Sequence, residues 1–161
     1  MSLKELQTKR LRLIPQTRED LRAEIGRMGP ADRAHVSAAW LEMLENSELM
    51  DPWIHGFRIL GVADGILVGQ CGFKGPPDTE GMVEIAYGVL PEQQGKGFAT
   101  EAAEALVQYA FADARVRLVR AHTLPESNAS TRVLLKTGFR KVGEVFDPED
   151  GPVWRWERVR A

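Results

Sequence analysis

Between Met82 and Phe111 the sequence runs MVEIAYGVL, then PEQQGKG, then FATEAAEALVQYAF. The middle piece carries the chemistry: Gln94, Gly95, Lys96 and Gly97 stand directly before a stretch with helical periodicity. Glycines at the entry to a helix leave several backbone N–H groups unpaired and aimed at one point, beside the positive end of the helix dipole. Such a point binds anions, phosphate above all. The same residues also serve a βα turn that uses glycine for backbone geometry alone.

Two known phosphate loops do not fit. A Walker A loop needs Gly-Lys followed by Ser or Thr. Here Lys96 is followed by Gly97. A dinucleotide fingerprint needs a third glycine near the start of a repeating βαβαβ fold. Its third position here is Thr100, and what precedes it reads as a meander.

The elements that must hold this loop follow from periodicity. Ala99, Ala102, Ala103, Leu106, Val107, Ala110 and Phe111 recur at three- and four-residue spacing, an amphipathic helix. MVEIAYGVL before it and RLVRAHT (117–123) after it are β-rich, so the three make a parallel, right-handed βαβ unit. Upstream, Arg10 to Ile14 alternates and reads as a first strand stopped by Pro15. Thr17 and Asp20 form a capping box for a helix through about Met28. Gly29-Pro30 breaks it, and a second helix is expected from Ala31 to about Leu49, with Val36, Ala39, Trp40, Met43 and Leu44 as its apolar stripe. Residues 57–63 and 66–73 are extended runs around Asp64-Gly65, a strong hairpin signal. Downstream, a short helix from Asn128 to Thr137 closes on Gly138, and residues 139–146 and 153–159 read as a last hairpin. The sum is an α/β (α+β) sandwich: one mixed, mostly antiparallel sheet of about seven strands, helices on both faces, and a central βαβ unit.

Composition narrows the function. The chain has 161 residues, 43% hydrophobic and 27% charged, with net charge −2, as for one globular domain over residues 1–161. A near-neutral balance argues against nucleic-acid binding, which needs a basic face. No apolar run reaches the roughly 18 residues that span a bilayer, and MSLKELQTKR lacks a signal-peptide core, so a cytoplasmic protein without membrane association is expected. The single Cys71 excludes an internal disulfide and reads as core. Three irregularly spaced histidines give no metal signature. Trp154 and Trp156, two apart on the last strand, share a side that packs in the core, lines a cleft or meets another subunit.

Gln94-x-x-Gly97-x-Ala99 resembles the pyrophosphate loop of the GNAT superfamily of acetyl-CoA-dependent N-acetyltransferases. The string Gly95 to Ala102 (GKGFATEA) looks like the branch of ribosomal-protein N-terminal acetyltransferases. Thr8 to Leu13 (TKRLRL) is similar to that branch's opening strand, and Asn128 to Phe139 (NASTRVLLKTGF) to its C-terminal segment. Three matches in register cover nearly the whole chain.

The resemblance implies a GNAT fold, acetyl-CoA as co-substrate and no metal. It implies that Gln94, Gly95, Lys96, Gly97, Phe98, Ala99 and Thr100 hold the pyrophosphate of coenzyme A. Lys96 adds a point charge or is simply solvated. Val89 and Leu90 are implied contacts of the pantetheine arm and thioester, through backbone N–H groups. Glu84 is either a carboxylate on a partly solvated sheet face or a general base, acting directly or through water. Ser130 is implied as the acid for the leaving thiolate, or else it caps its helix. Counting back from Gly138-Phe139 puts the family's Asn position on Ser127, so Asn128 or its neighbour makes that cofactor contact. The expected acceptor is a primary amine, first a protein or peptide N-terminus. An antibiotic-like amine or a polyamine is the alternative, for which Glu42, Glu45 and Glu48 can supply an acidic cleft. A non-catalytic acetyl-CoA-binding module is the reading from another class. Monomer and homodimer are both compatible with the sequence.

Overall fold

In a computed structural model, which describes residues 5–148 and 150–160, the chain opens with β1 (Leu6–Gln7) paired to β2 (Leu11–Pro15). The two-residue β1 brings the sheet to eight strands where about seven are expected. Pro15 ends β2 from inside it. Thr17 then caps α1 (Arg18–Arg27): its hydroxyl accepts from the Asp20 N–H, and the Asp20 carboxylate accepts from the Thr17 N–H.

The second helix expected over residues 31–49 is two pieces, α2 (Pro30–Arg33) and α3 (Ala38–Glu45). Ser37 is the cause. Its hydroxyl accepts from the Trp40 N–H and starts a new helix there, because a serine that bonds nearby backbone favours caps over helix interiors. Ser47 closes the far end, donating to the Leu44 carbonyl and meeting His55 Nε2. The short α4 (Pro52–His55) leads into the sheet.

The meander is as read: β3 (Phe57–Gly61), β4 (Leu67–Phe73) and β5 (Met82–Val89), each antiparallel to the last. After a turn of 3-10 helix at Pro91–Gln93 come α5 (Phe98–Phe111) and β6 (Leu118–Thr123), parallel to β5. Then α6 (Ala129–Lys136) precedes the hairpin of β7 (Arg140–Asp147) and β8 (Gly151–Val159). Strand order is β1-β2-β3-β4-β5-β6-β8-β7.

One face of the sheet packs on α5, whose Ala102, Ala103, Leu106, Val107 and Ala110 are wholly buried with Leu11, Leu13, Phe57, Ile59, Val83 and Ile85. Three alanines on that stripe keep side-chain bulk low at the contact. The other face is covered by α1 and α3, which share a smaller cluster of Leu21, Ile25 and Leu44. Trp156 is core, its indole N–H donating to Thr123 Oγ1, and Trp154 is half-buried beneath the Lys141 ammonium.

The feature that makes a site is a broken ladder. β5 and β6 pair only from Met82↔Leu118 to Glu84↔Arg120. Beyond Glu84, β5 keeps its partner β4 as far as Gly69↔Val89, but among the described residues no strand lines its other edge.

Candidate active site

Which backbone groups the open edge offers follows from antiparallel geometry, where residues alternate between bonded and non-bonded pairs. Lys74 N–H donates to the Glu84 carbonyl (2.9 Å) and Leu90 N–H to the Val68 carbonyl (2.8 Å). Residues 84, 86, 88 and 90 therefore turn their amides toward β4, and Tyr87 and Val89 turn theirs toward the open edge. Leu90, expected beside Val89 as a thioester donor, has its N–H already spent. The Val89 carbonyl accepts from Gln94 Nε2 at 3.0 Å, which ties the glycine loop to the strand's end.

On the α5 face a groove of about 430 Å³ runs from Tyr87–Val89 past Gln94, Gly95, Gly97, Phe98, Ala99 and Thr100 to α6. Gly97 caps α5 in the left-handed region (φ +83°) with no side-chain hydrogen bond, leaving the first-turn N–H groups directed outward. The groove's other wall is Ala129, Ser130, Arg132, Val133 and Lys136. Arg132 and Lys136 lie four apart on α6, two cations facing the glycine loop that the sequence reading did not select. Lys96 itself stands outside the groove lining, its ammonium donating to Gln93 Oε1.

Residues from distant parts of the chain fix the loop. Arg10 Nη1 donates to the Lys96 carbonyl (2.9 Å), its Nε pairs with Glu101 Oε1 (2.8 Å), and its guanidinium lies 4.7 Å from the Phe98 ring centre. The Arg10 N–H and the Thr8 hydroxyl also donate to Glu101 Oε2. Partial burial pushes the Glu101 carboxyl up, but the bonds from Thr8 and Arg10 outweigh it and hold the group below its ordinary range.

Asn128 and Ser130 exchange the roles a sequence allows them. Asn128 Oδ1 accepts from the Thr131 N–H and caps α6, and Asn128 is not among the groove-lining residues. Ser130, free of capping, lines the groove, and its hydroxyl has no hydrogen bond among the described residues. Its carbonyl accepts from the Tyr87 hydroxyl at 3.4 Å. Burial pushes the Tyr87 phenol up to about 12, so it carries its proton at neutral pH.

On the opposite face lies a larger cleft of about 670 Å³, between α1, α3 and the floor of β4 and β5. Its lining is mostly apolar, including Leu21, Ile25, Met28, Val36, Trp40, Ile54 and Phe73. The floor is made of small residues, Gly72, Ala86 and Gly88. Glu24 is its one carboxylate among the described residues, held at 3.2 and 3.3 Å by Gln70 Nε2, and Gln70 stands directly opposite Gly88. Glu42, Glu45 and Glu48 line none of this cleft, and Glu45 pairs with Arg22. The two clefts share Tyr87, Gly88 and Val89, where the open edge lies.

Glu84 lines neither cleft. Its Oε2 sits 3.0 Å from Lys74 Nζ and 2.9 Å from His122 Nδ1, while His122 Nε2 accepts from Arg155 Nε. That bond pattern puts the imidazole proton on Nδ1. Burial pulls Lys74 down, but Glu84 outweighs it and leaves the amine above its ordinary value. At 3.3 Å per residue, Glu84 is about 13 Å along the strand from Gly88. Among the described residues no His/Cys/Asp/Glu cluster is built to hold a metal, and no helix is long and apolar enough to cross a membrane.

The sequence profile of the family described as "Acetyltransferase (GNAT) domain" matches residues 10–140. The uncharacterized N-acetyltransferase p20 of Bacillus licheniformis is 34% identical over 93 residues, 58% of this chain and 52% of that protein. The uncharacterized N-acetyltransferase YoaA of Bacillus subtilis (strain 168) is 35% identical over 115 residues, 64% of this chain and 65% of that protein. The chain thus matches about half to two thirds of these relatives' length. Among solved structures, a GNAT-family acetyltransferase from Bacillus anthracis superposes with TM-score 0.70 at 22% identity, over 97% of this chain and 98% of that one. A putative ribosomal-protein-serine acetyltransferase from Vibrio cholerae gives 0.68 at 18%, over 98% of each. The aminoglycoside acetyltransferase AAC(6')-Ib, in complex with coenzyme A and kanamycin, gives 0.64 at 22%, over 93% and 95%. At these identities the structures show the shared fold.

Proposed function

This chain belongs to the GNAT acetyltransferase family, and from that premise we propose that it moves the acetyl group of acetyl-CoA to a primary amine, the α-amine of a protein or peptide, with residues 1–161 acting as one catalytic domain. One arrangement carries the reading: a groove built for an anion and a separate cleft lie on opposite faces of the sheet and meet at the open edge of β5. Direct attack in a ternary complex needs that. The ammonium first gives up one proton to water; the neutral nitrogen then bonds to the thioester carbon as the C–S bond breaks, a second proton leaves nitrogen and one reaches sulfur.

Each part then has a group. The loop N–H groups from Gln94 to Thr100 receive the pyrophosphate, each bond to a charged oxygen contributing about 1.5–3 kcal/mol. Arg132 and Lys136 add cationic charge from the facing wall. The Val89 N–H faces the thioester oxygen as charge develops there, a role whose loss typically costs about 2.7–4 kcal/mol. Ser130 and the protonated Tyr87 stand on the groove side as proton donors to sulfur. Asn128 serves by fixing where α6 starts, and Glu84, at its distance, acts only through a water relay. Deprotonating an α-amine near neutral pH costs about 1 kcal/mol, against roughly 4 for a lysine-like amine. A paired, remote Glu84 favours the first.

Isothermal titration with acetyl-CoA tests the reading. Micromolar binding to the native chain and its loss in Gly97→Val support it, since a side chain there is strained at φ +83° and its Cβ would meet Arg10 Nη2 at 3.2 Å. No acetyl-CoA binding, or binding indifferent to Gly97→Val, refutes it.

A further inference from the structure

We infer that the acceptor is a monocationic amine on an apolar body, its nitrogen docked on Glu24; this rests on the acetyl-transfer reading above. The cleft opposite the donor groove has the volume of a small-ligand site, within the ordinary range of about 300–1,000 Å³. Trp40, Phe73 and Ile25 are among its walls, and Glu24 is its one carboxylate among the described residues. Glu24 is also in the right place. Gln70 is paired across the sheet with Gly88, both Gln70 and Gly88 line the cleft, and Gln70 Nε2 bonds both Glu24 oxygens. The carboxylate is therefore steadied by the residue paired with Gly88, one of the three positions the cleft shares with the donor groove. Gly88 puts no side chain between them.

Charge counting sets the class. One carboxylate satisfies one ammonium, and a buried ammonium without a partner is strongly unfavourable. A polyamine or an aminoglycoside brings several, and the glutamates at the end of α3 that might pair with them lie outside the cleft. An amine with one charge and an aliphatic or aromatic body leaves nothing unpaired. Two sources share that chemistry: a peptide whose first residue is bulky and apolar, or a free arylalkylamine.

The experiment is a steady-state panel with acetyl-CoA on native protein: tetrapeptides beginning with Leu, Phe, Ser or Asp, then 2-phenylethylamine, spermidine and kanamycin. The expected kcat/KM for Leu and Phe peptides or 2-phenylethylamine exceeds that for Asp peptide, spermidine and kanamycin by at least about tenfold, and the preferred arm identifies the source. Glu24→Gln is expected to lower kcat/KM for the best amine by about ten- to a hundredfold, mainly through KM, with acetyl-CoA affinity unchanged. A preference for the polycations overturns the inference, and so does an unchanged KM in Glu24→Gln. If that variant does not fold, the native panel still decides. Acetyl-CoA binding without turnover of any amine overturns the inference alone; absence of acetyl-CoA binding overturns the underlying reading with it.

Discussion

Replacing Arg10 with alanine should weaken acetyl-CoA binding although Arg10 is outside the donor groove's lining. Arg10 contributes one bond to the Lys96 carbonyl, one ion pair with Glu101 and a stacking contact over Phe98. Its side chain is 44% exposed, so the ion pair taken alone is worth only about 0–1 kcal/mol. The bond to the Lys96 carbonyl, with a charged donor, adds about 1.5 kcal/mol to holding the loop's N–H groups in one direction. A smaller electrostatic effect is on Glu101, 18% exposed in the first turn of α5, which keeps its bonds from Thr8 and the residue-10 N–H but is left without its cation beside an anion site. Together these predict a loss of about 1.5–2 kcal/mol, or ten- to thirtyfold in Kd. Calorimetric titration of Arg10→Ala measures it, with circular dichroism confirming the fold. A double-mutant cycle with Glu101→Gln tests the cause, because removing the carboxylate should recover part of the Arg10→Ala penalty. Acetyl-CoA affinity within twofold of native in Arg10→Ala refutes the clamp. Equal Arg10→Ala penalties in both backgrounds refute the electrostatic part.

Two further outcomes follow from the groove and its supports. Ser130→Ala should reduce kcat by about a hundredfold or more with little change in acetyl-CoA Kd if its hydroxyl protonates sulfur, whereas Tyr87→Phe should do so if the phenol does; single-turnover rates of the two variants separate them. Asn128→Ala removes the α6 cap and should destabilise the fold by about 1 kcal/mol, lowering Tm by roughly 2–4 °C in a thermal melt; an unchanged Tm refutes the capping role.

Much of the fold was open to reading because local signals agreed with one another. The Asp64-Gly65 hairpin, the alanine stripe of α5 and the capping box at Thr17 each specify their element without help from distant residues. The break at Ser37 was legible in principle, since a serine three residues before Trp40 is a cap, but a continuous apolar stripe from Val36 to Leu44 concealed it. The site divides along the same line. The glycine loop is a local motif, whereas Arg10 and Glu101 are 91 residues apart in the chain, and Glu24 meets Gln70 across 46. Which of Val89 and Leu90 turns its N–H to the open edge is set by strand phase, which depends on how β4 and β5 register. Arg132 and Lys136 did leave a signal, two cations at helical spacing on one face of α6.

In the proposed reaction the acetyl group and the acceptor draw on a single volume. The open edge at Tyr87–Val89 is bounded by a tyrosine ring on one side, and the floor of the cleft beyond it includes the small residues Gly88, Ala86 and Gly72. An acyl chain longer than acetyl would then extend over those small residues, into the space proposed for the amine's body. On that reading acyl length and acceptor bulk are coupled quantities: enlarging Ala86 would narrow both tolerances at once, and a bisubstrate inhibitor would have to thread the sheet rather than lie upon it.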